Sequence, residues 1–214
     1  VSGQRELHDH YFREAKRNGY RSRAAYKLIE IDEKRHILKK GDLVLDLGAA
    51  PGSWLQVVSQ RIGPDGKVIG VDLSAIDGAL PENVVILQDD VTTLTQSSFA
   101  DETVFDVILS DMAPNTTGNK TIDHHGSVRL CHTALDLATT MLKTGGNLVM
   151  KVLEGEAYPE LLNRASDSFD TAKGYKPKAS RSISSEMFIV CLGRREDMAQ
   201  PVQIAPPPPS SGWN

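Results

Sequence analysis

An open, mostly parallel α/β sheet with helices on both faces is the fold this sequence predicts, and three observations predict it. Short β-branched runs alternate with helical patterns along most of the chain. One of those runs, residues 43–47, breaks directly into the turn Gly48-Ala49-Ala50-Pro51-Gly52-Ser53-Trp54. The last apolar run is preceded by too little chain for a helical crossover. With 214 residues, 40% of them hydrophobic, there is material for one domain with a full core.

After a polar start, residues 11–18 and 22–36 read as helices separated by Gly19-Tyr20. Ser22 is placed as an N-cap, and Ala25, Leu28, Ile29 and Asp32 repeat at the spacing of a docked helix. Strands are then expected at 43–47, 68–72, 84–88, 104–109 and 147–152, with helices at 54–62, 128–143 and 158–169 between them. The stretch from Tyr175 to Glu186, about a dozen residues, has no helical pattern, so the final strand at 187–192 is expected to run antiparallel. Pro201 opens a Pro-rich stretch that includes Pro206-Pro207-Pro208-Pro209, which reads as a flexible tail. The expected organisation is a basic helical segment (1–40) packed on an α/β core (41–196), with a tail (197–214), all in a single domain.

The net charge of −4 divides unevenly: residues 1–40 carry +5 and the remainder −9. A second basic knot, Lys173, Lys176, Lys178 and Arg181, lies late in the chain. Two basic regions on an acidic body suit a local polyanion-binding face, although a solvated helix and a basic loop give the same composition. No apolar run approaches the roughly 18 residues of a membrane helix and the opening residues do not resemble a signal peptide, so a cytoplasmic protein is expected. Cys131 and Cys191 sit in apolar runs and are expected to be reduced core thiols.

The turn at 48–54 is where a backbone can lie against a ligand, because glycine supplies positive φ and Pro51 pre-sets the bend. Asp72 ends the next strand, well placed for the ribose hydroxyls of a nucleoside. A pyrophosphate site would want G-x-G-x-x-G; this turn has no middle glycine and carries Pro51. The cofactor indicated is therefore a nucleoside without phosphates, S-adenosylmethionine (SAM). Ligands of an open parallel sheet bind beyond the carboxyl ends of its strands, and four polar groups fall there. Asp111 follows 107–110 and leads into Met112-Ala113-Pro114-Asn115, while Lys151 ends the run Leu148-Val149-Met150. Glu186 opens the last strand, whose start lies at the same rim if that strand is antiparallel. Lys27 lies beside the buried stripe of the second helix.

Four motifs closely resemble the FtsJ/RrmJ family of SAM-dependent ribose 2′-O-methyltransferases, over about residues 8–195. They are Ser22-Arg23-Ala24-Ala25-Tyr26-Lys27-Leu28, Leu45-Asp46-Leu47 running into the 48–54 turn, Ser110-Asp111-Met112-Ala113-Pro114-Asn115, and Ser184-Ser185-Glu186. The resemblance implies a Rossmann-like class I SAM-dependent methyltransferase, a mostly parallel seven-stranded sheet with an antiparallel last strand. It places a catalytic Lys-Asp-Lys-Glu tetrad on Lys27, Asp111, Lys151 and Glu186. It places SAM contacts on Gly52, Trp54, Asp72, Asp90 and Asp111, with Gly48, Ala49, Pro51, Ser53, Leu73, Asp89 and Val91 around them. It implies no metal, and as partner an RNA, a uridine of 23S-type large-subunit ribosomal RNA, modified by a monomer. Ser53 and Asp89 stand where members often have glycine; either Asp89 or Asp90 could take the adenine amino group, and register favours Asp90.

The residue types suit the chemistry. Methyl transfer from a sulfonium is an in-line displacement, so a protein must align the attacking oxygen and manage one proton. Lys151 is expected to be base or orienter, held by Asp111 and Glu186, with Lys27 positioning the hydroxyl or a phosphate. Transfer RNA or mitochondrial ribosomal RNA are alternative substrates. A small-molecule or protein methyltransferase would have no use for Lys27 and Glu186, and an RNA-binding scaffold retaining SAM would carry a broken tetrad; none of the four positions is broken. His124-His125 and Cys131-His132 fit no zinc spacing and read as a polar loop entering a helix. Trp54 is either a core aromatic or a flank of the cofactor, and the resemblance favours the second. Tyr11, Phe12, Tyr20 and Tyr26 interleave with Arg13, Lys16, Arg17, Arg21 and Arg23, a pattern that serves RNA stacking and phosphate contact or the docking of a helix.

Overall fold

The computed structural model describes residues 2–99, 103–180 and 184–196, with side chains described from residue 10 onward. The tail 197–214, Arg181 and the side chains of His8 and Asp9 lie outside the described residues. Among the described residues, seven strands form one sheet: β1 (Leu43–Leu47), β2 (Lys67–Asp72), β3 (Val84–Gln88), β4 (Phe105–Ser110), β5 (Leu142–Leu153), β6 (Phe169–Tyr175) and β7 (Glu186–Arg194). Their order across the sheet is β3-β2-β1-β4-β5-β7-β6. β7 is antiparallel to both its neighbours, β5 and β6, and the pairings of β1, β2, β3, β4 and β5 with one another are parallel.

Period-2 alternation sorts the strand side chains into two cores. Val44, Val68, Val107, Leu109, Val149, Phe188 and Val190 face α2 (Ala25–Arg35) and α3 (Ser53–Ile62), which contribute Leu28, Ile31, Trp54, Leu55 and Val58. Leu45, Leu47, Ile108, Leu148, Met150, Ile189 and Cys191 face α4 (Lys120–Met141) and α5 (Tyr158–Ser168). α1 (Ser2–Arg17) lies outside the sheet and docks on α2 through aromatic rings: Tyr26 is 5.5 Å from Tyr11 and 5.7 Å from Tyr20, centroid to centroid.

Several elements depart from the sequence expectation. β6 was not foreseen, because Phe169-Asp170-Thr171-Ala172-Lys173-Gly174-Tyr175 has neither β-branched enrichment nor alternation. It is an edge strand held by the ladder that β7 offers. α4 begins at Lys120 rather than 128, where Asn119 Oδ1 accepts from the amides of Thr121 and Ile122. Its first turns look polar because they bury hydrogen-bonded groups. His124 Nδ1 donates to the Leu153 carbonyl at 2.6 Å and Nε2 accepts from the Ala157 amide at 3.0 Å. Asp123 takes the amides of Thr117 and Gly118. The histidine pair is therefore in the helix, not in a loop before it. Ser22 is not an N-cap; α2 starts three residues later, and Ser22 Oγ instead accepts from the Ala24 amide and bonds to Ser53 Oγ. Cys131 and Cys191 are buried, unbridged thiols, with burial pushing Cys131 up to about 12. No helix among the described residues is long and apolar enough to cross a membrane.

Candidate active site

The rim of the α2/α3 face is where the polar groups gather, and strand parity explains it. Asp46 continues the stripe of Val44, Asp72 that of Val68, Asp111 that of Leu109, and Lys151 that of Val149. Glu186 shares its face with Phe188. Five strands thus turn one acidic or amino side chain each to the same side at their carboxyl ends, or, in antiparallel β7, at its start.

The four tetrad positions are brought together as two ion pairs. Ser110 is in register with Met150, so the next residues, Asp111 and Lys151, lie level. Lys151 Nζ is 3.0 Å from Asp111 Oδ1 and donates to the Asp111 carbonyl at 2.5 Å. Across the rim, Lys27 Nζ donates to Glu186 Oε2 at 2.7 Å and lies 5.8 Å from the centroid of the Phe188 ring. Glu186 therefore pairs with Lys27 rather than holding Lys151. Its other oxygen, Oε1, accepts from Ser180 Oγ at 2.7 Å. Burial opposes its ionisation, but Lys27, Ser180 and the charge of Lys151 outweigh it, and the carboxyl is held below the usual range. Ser180 was not singled out from sequence, and no spacing marks it. Its loop is fixed by α2, where Glu30 accepts from Tyr175 Oη at 2.6 Å and from the Lys178 amide at 2.8 Å.

The turn after β1 is held from β2. The Gly48 and Ala49 amides donate to the Val71 carbonyl, and the Ala50 amide donates to Asp72 Oδ2 at 2.9 Å. Asp72 Oδ1 takes the Ser74 amide. Gly48 has φ of 77°, and a Cβ there would stand 2.8 Å from Met112 Cγ, so the 111–113 segment closes directly on the turn. Pro51 is exposed and Ala49 and Gly52 are buried. Ser53 is spent on Ser22, and Trp54 is a core residue: 2% exposed, stacked near Phe188 and donating from Nε1 to the Ala24 carbonyl at 2.9 Å. Leu73 is 69% exposed and Val91 is buried. Asp90 Oδ1 caps the short turn Val91–Thr93 through the Thr92 amide, while Asp89 Oδ1 accepts the Asp90 amide. Asp46, missed by the sequence reading, is fully buried with neither carboxylate oxygen hydrogen-bonded. Burial first, then Asp111 and Asp72, push its pKa well above the ordinary range.

Comparison with known proteins identifies the family. The model of the FtsJ-like methyltransferase family matches residues 20–194. The chain belongs to that family. Ribosomal RNA large subunit methyltransferase E of Syntrophobacter fumaroxidans is 44% identical over 192 residues, covering 89% of this chain and 98% of that protein. The protein of the same name from Methanocella arvoryzae is 46% identical over 187 residues, 86% of this chain and 72% of its own length. A crystal structure of a ribosomal RNA methyltransferase from Plasmodium falciparum superposes with a TM-score of 0.71 at 32% identity, over 82% of this chain and 98% of that one. As a family member the chain is an RNA methyltransferase with a Rossmann-like fold.

Proposed function

We propose that the chain transfers the methyl group of SAM to a ribose 2′-hydroxyl of RNA, in a uridine of the large ribosomal subunit. The observation that carries this reading is the meeting of Lys27, Asp111, Lys151 and Glu186 at one rim, beside the glycine turn, in a chain similar to proteins named for large-subunit ribosomal RNA.

The residues present fit SAM. Asp46, with both oxygens lacking partners, faces the charges of Asp72 and Asp111, and the turn carries no lysine or arginine. Such a site favours a ligand with a cationic centre and repels a pyrophosphate. Asp72 would hold the ribose hydroxyls, Asp90 or Asp89 the adenine amino group, and the backbone of 48–54 the remainder. When bound, SAM supplies an electrophilic methyl group. Everything else falls to the chain. The Asp111 carboxylate and carbonyl fix Lys151 Nζ beside the attacking hydroxyl, as the base or the orienter of that oxygen. Lys27, locked to Glu186, orients that oxygen or the neighbouring phosphate.

An exposed aromatic among basic residues supports an RNA-docking surface on the N-terminal helix. Phe12, exposed at 61%, sits on α1 among exposed Arg13, Lys16 and Arg17, while the Lys178 amide ties the late basic knot to α2. We take segment 1–40 as the RNA-docking part of the single domain, acting in a monomer, and a cytoplasmic location goes with this substrate. The test is incubation with labelled SAM and either assembled large subunits or naked RNA, followed by mapping of the label. A labelled uridine 2′-oxygen is expected. Label on a base or a protein, or in transfer RNA alone, overturns the reading.

A further inference from the structure

Arg21 belongs by sequence to the basic run that would meet RNA phosphates, yet its guanidinium is committed elsewhere. Nη1 donates to the Pro51 carbonyl at 3.1 Å and to the Asp77 carbonyl at 2.5 Å, and Nη2 donates to the Ala79 carbonyl at 3.0 Å. Pro51 belongs to the turn after β1, and Asp77 and Ala79 to the stretch after β2 that carries no helix or strand. These two segments follow the strands that supply Asp46 and Asp72. Gly78, between the two acceptors, has φ of 82°, a left-handed bend that L side chains rarely adopt. The arginine stem closes the join: a Cβ on Gly52 would lie 3.2 Å from both Arg21 Cδ and Ile76 Cγ2. Arg21 itself is held from α3, where Gln56 Oε1 accepts its amide at 2.9 Å and Gln56 Nε2 donates to the Gly19 carbonyl.

We propose that Arg21 is a positioning residue for the nucleoside cofactor, a clasp that fixes the spacing between the turn at 48–54 and the segment 73–80. A planar fork with several fixed donors can bridge three carbonyls, whereas an ammonium group on a flexible stem cannot hold all three at once. The clasp lies in the chain segment that joins α1 to α2, so the piece of chain that docks RNA also sets the width of the cofactor cleft.

The proposal rests on the SAM reading, and the experiment separates the two. Binding of S-adenosylhomocysteine is measured by calorimetry, and amide exchange of the cofactor-free protein by mass spectrometry, for the wild type, Arg21→Ala, Arg21→Lys and Gly78→Ala. All three variants are expected to bind S-adenosylhomocysteine about tenfold more weakly, the loss of one or two charge-assisted hydrogen bonds. Amides of 73–80 should exchange faster in the free variants while β4 and β5 exchange as in the wild type. KM for SAM should rise with the binding constant, kcat at saturating SAM should stay within about twofold, and lysine should not rescue. Unchanged affinity and exchange in Arg21→Ala overturn the clasp, as does a reduced salt dependence of RNA binding with cofactor affinity intact, which marks a phosphate contact instead. If the wild type itself does not bind S-adenosylhomocysteine, the SAM reading falls, and the exchange of 73–80 still decides the clasp. Should Arg21→Ala not fold, Arg21→Lys and Gly78→Ala carry the same outcomes.

Discussion

The two ion pairs at the rim are built in opposite ways. Asp111 and Lys151 stand at the ends of adjacent parallel strands whose register makes them level, so the sheet alone brings them together. Lys27 and Glu186 are 159 residues apart and meet only because α2 docks across β7, assisted by Ser180 and by the grip of Glu30 on the loop before β7. The first pair inherits the stiffness of the sheet core. The second reports whether the N-terminal helices are in place, and so links that part of the chain to the rim.

That contrast can be broken most visibly at Lys151. Lys151→Ala should lower methyl transfer by about 10²–10⁴-fold, the range for loss of a positioned base. Cofactor affinity should stay close to wild type; substantial residual turnover would remove Lys151 from the proton path. The docked pair should respond differently. Glu186→Ala leaves a buried ammonium facing Phe188 and should cost on the order of 3 kcal/mol in urea unfolding as well as activity. Replacing both partners, Lys27→Met with Glu186→Met, should restore most of that stability without restoring transfer. If the double variant is as unstable as the single one, the contact is not an isolated pair.

The pH dependence sharpens the same point. The Glu186 carboxyl is held below its ordinary range in the folded chain, so its stabilisation is present above the unfolded value, about 4.3, and is lost as pH falls through the folded value. The advantage of wild type over Glu186→Gln in urea should therefore be greatest near neutrality and shrink below pH of about 4. An advantage that grows on acidification would reverse the assignment of charge. The smallest effect is expected at Ser180. Ser180→Ala removes one hydrogen bond to Glu186, worth about 1 kcal/mol, and should raise the Glu186 pKa observed by carbon NMR, while Ser180→Thr retains both values.

Much of the fold was legible because it is written in local pattern. Alternating runs, the glycine turn and the short final connection were enough for six strands and the reversed direction of β7. β6 was illegible because an edge strand takes its order from its neighbour rather than from its own side chains. The start of α4 was hidden because Asp123, His124 and Ser127 are buried by hydrogen bonding, which apolar periodicity does not register. At the site, the parity of Asp72, Asp111 and Lys151 could be counted from the strands. The use of Trp54 as core, of Ser53 as a partner of Ser22, and of Arg21 as a clasp could not.

Taken alone, the amino-acid order determined which residue types end each strand and on which face they fall, because side-chain alternation is a property of the extended backbone itself. Partner choice was decided by the tertiary structure. Whether Glu186 answers to Lys27 or Lys151, and whether an arginine meets a phosphate or three carbonyls, depends on where helices dock across the sheet. That docking is set by the burial of Leu28, Ile31 and Trp54 against strands far away in the chain.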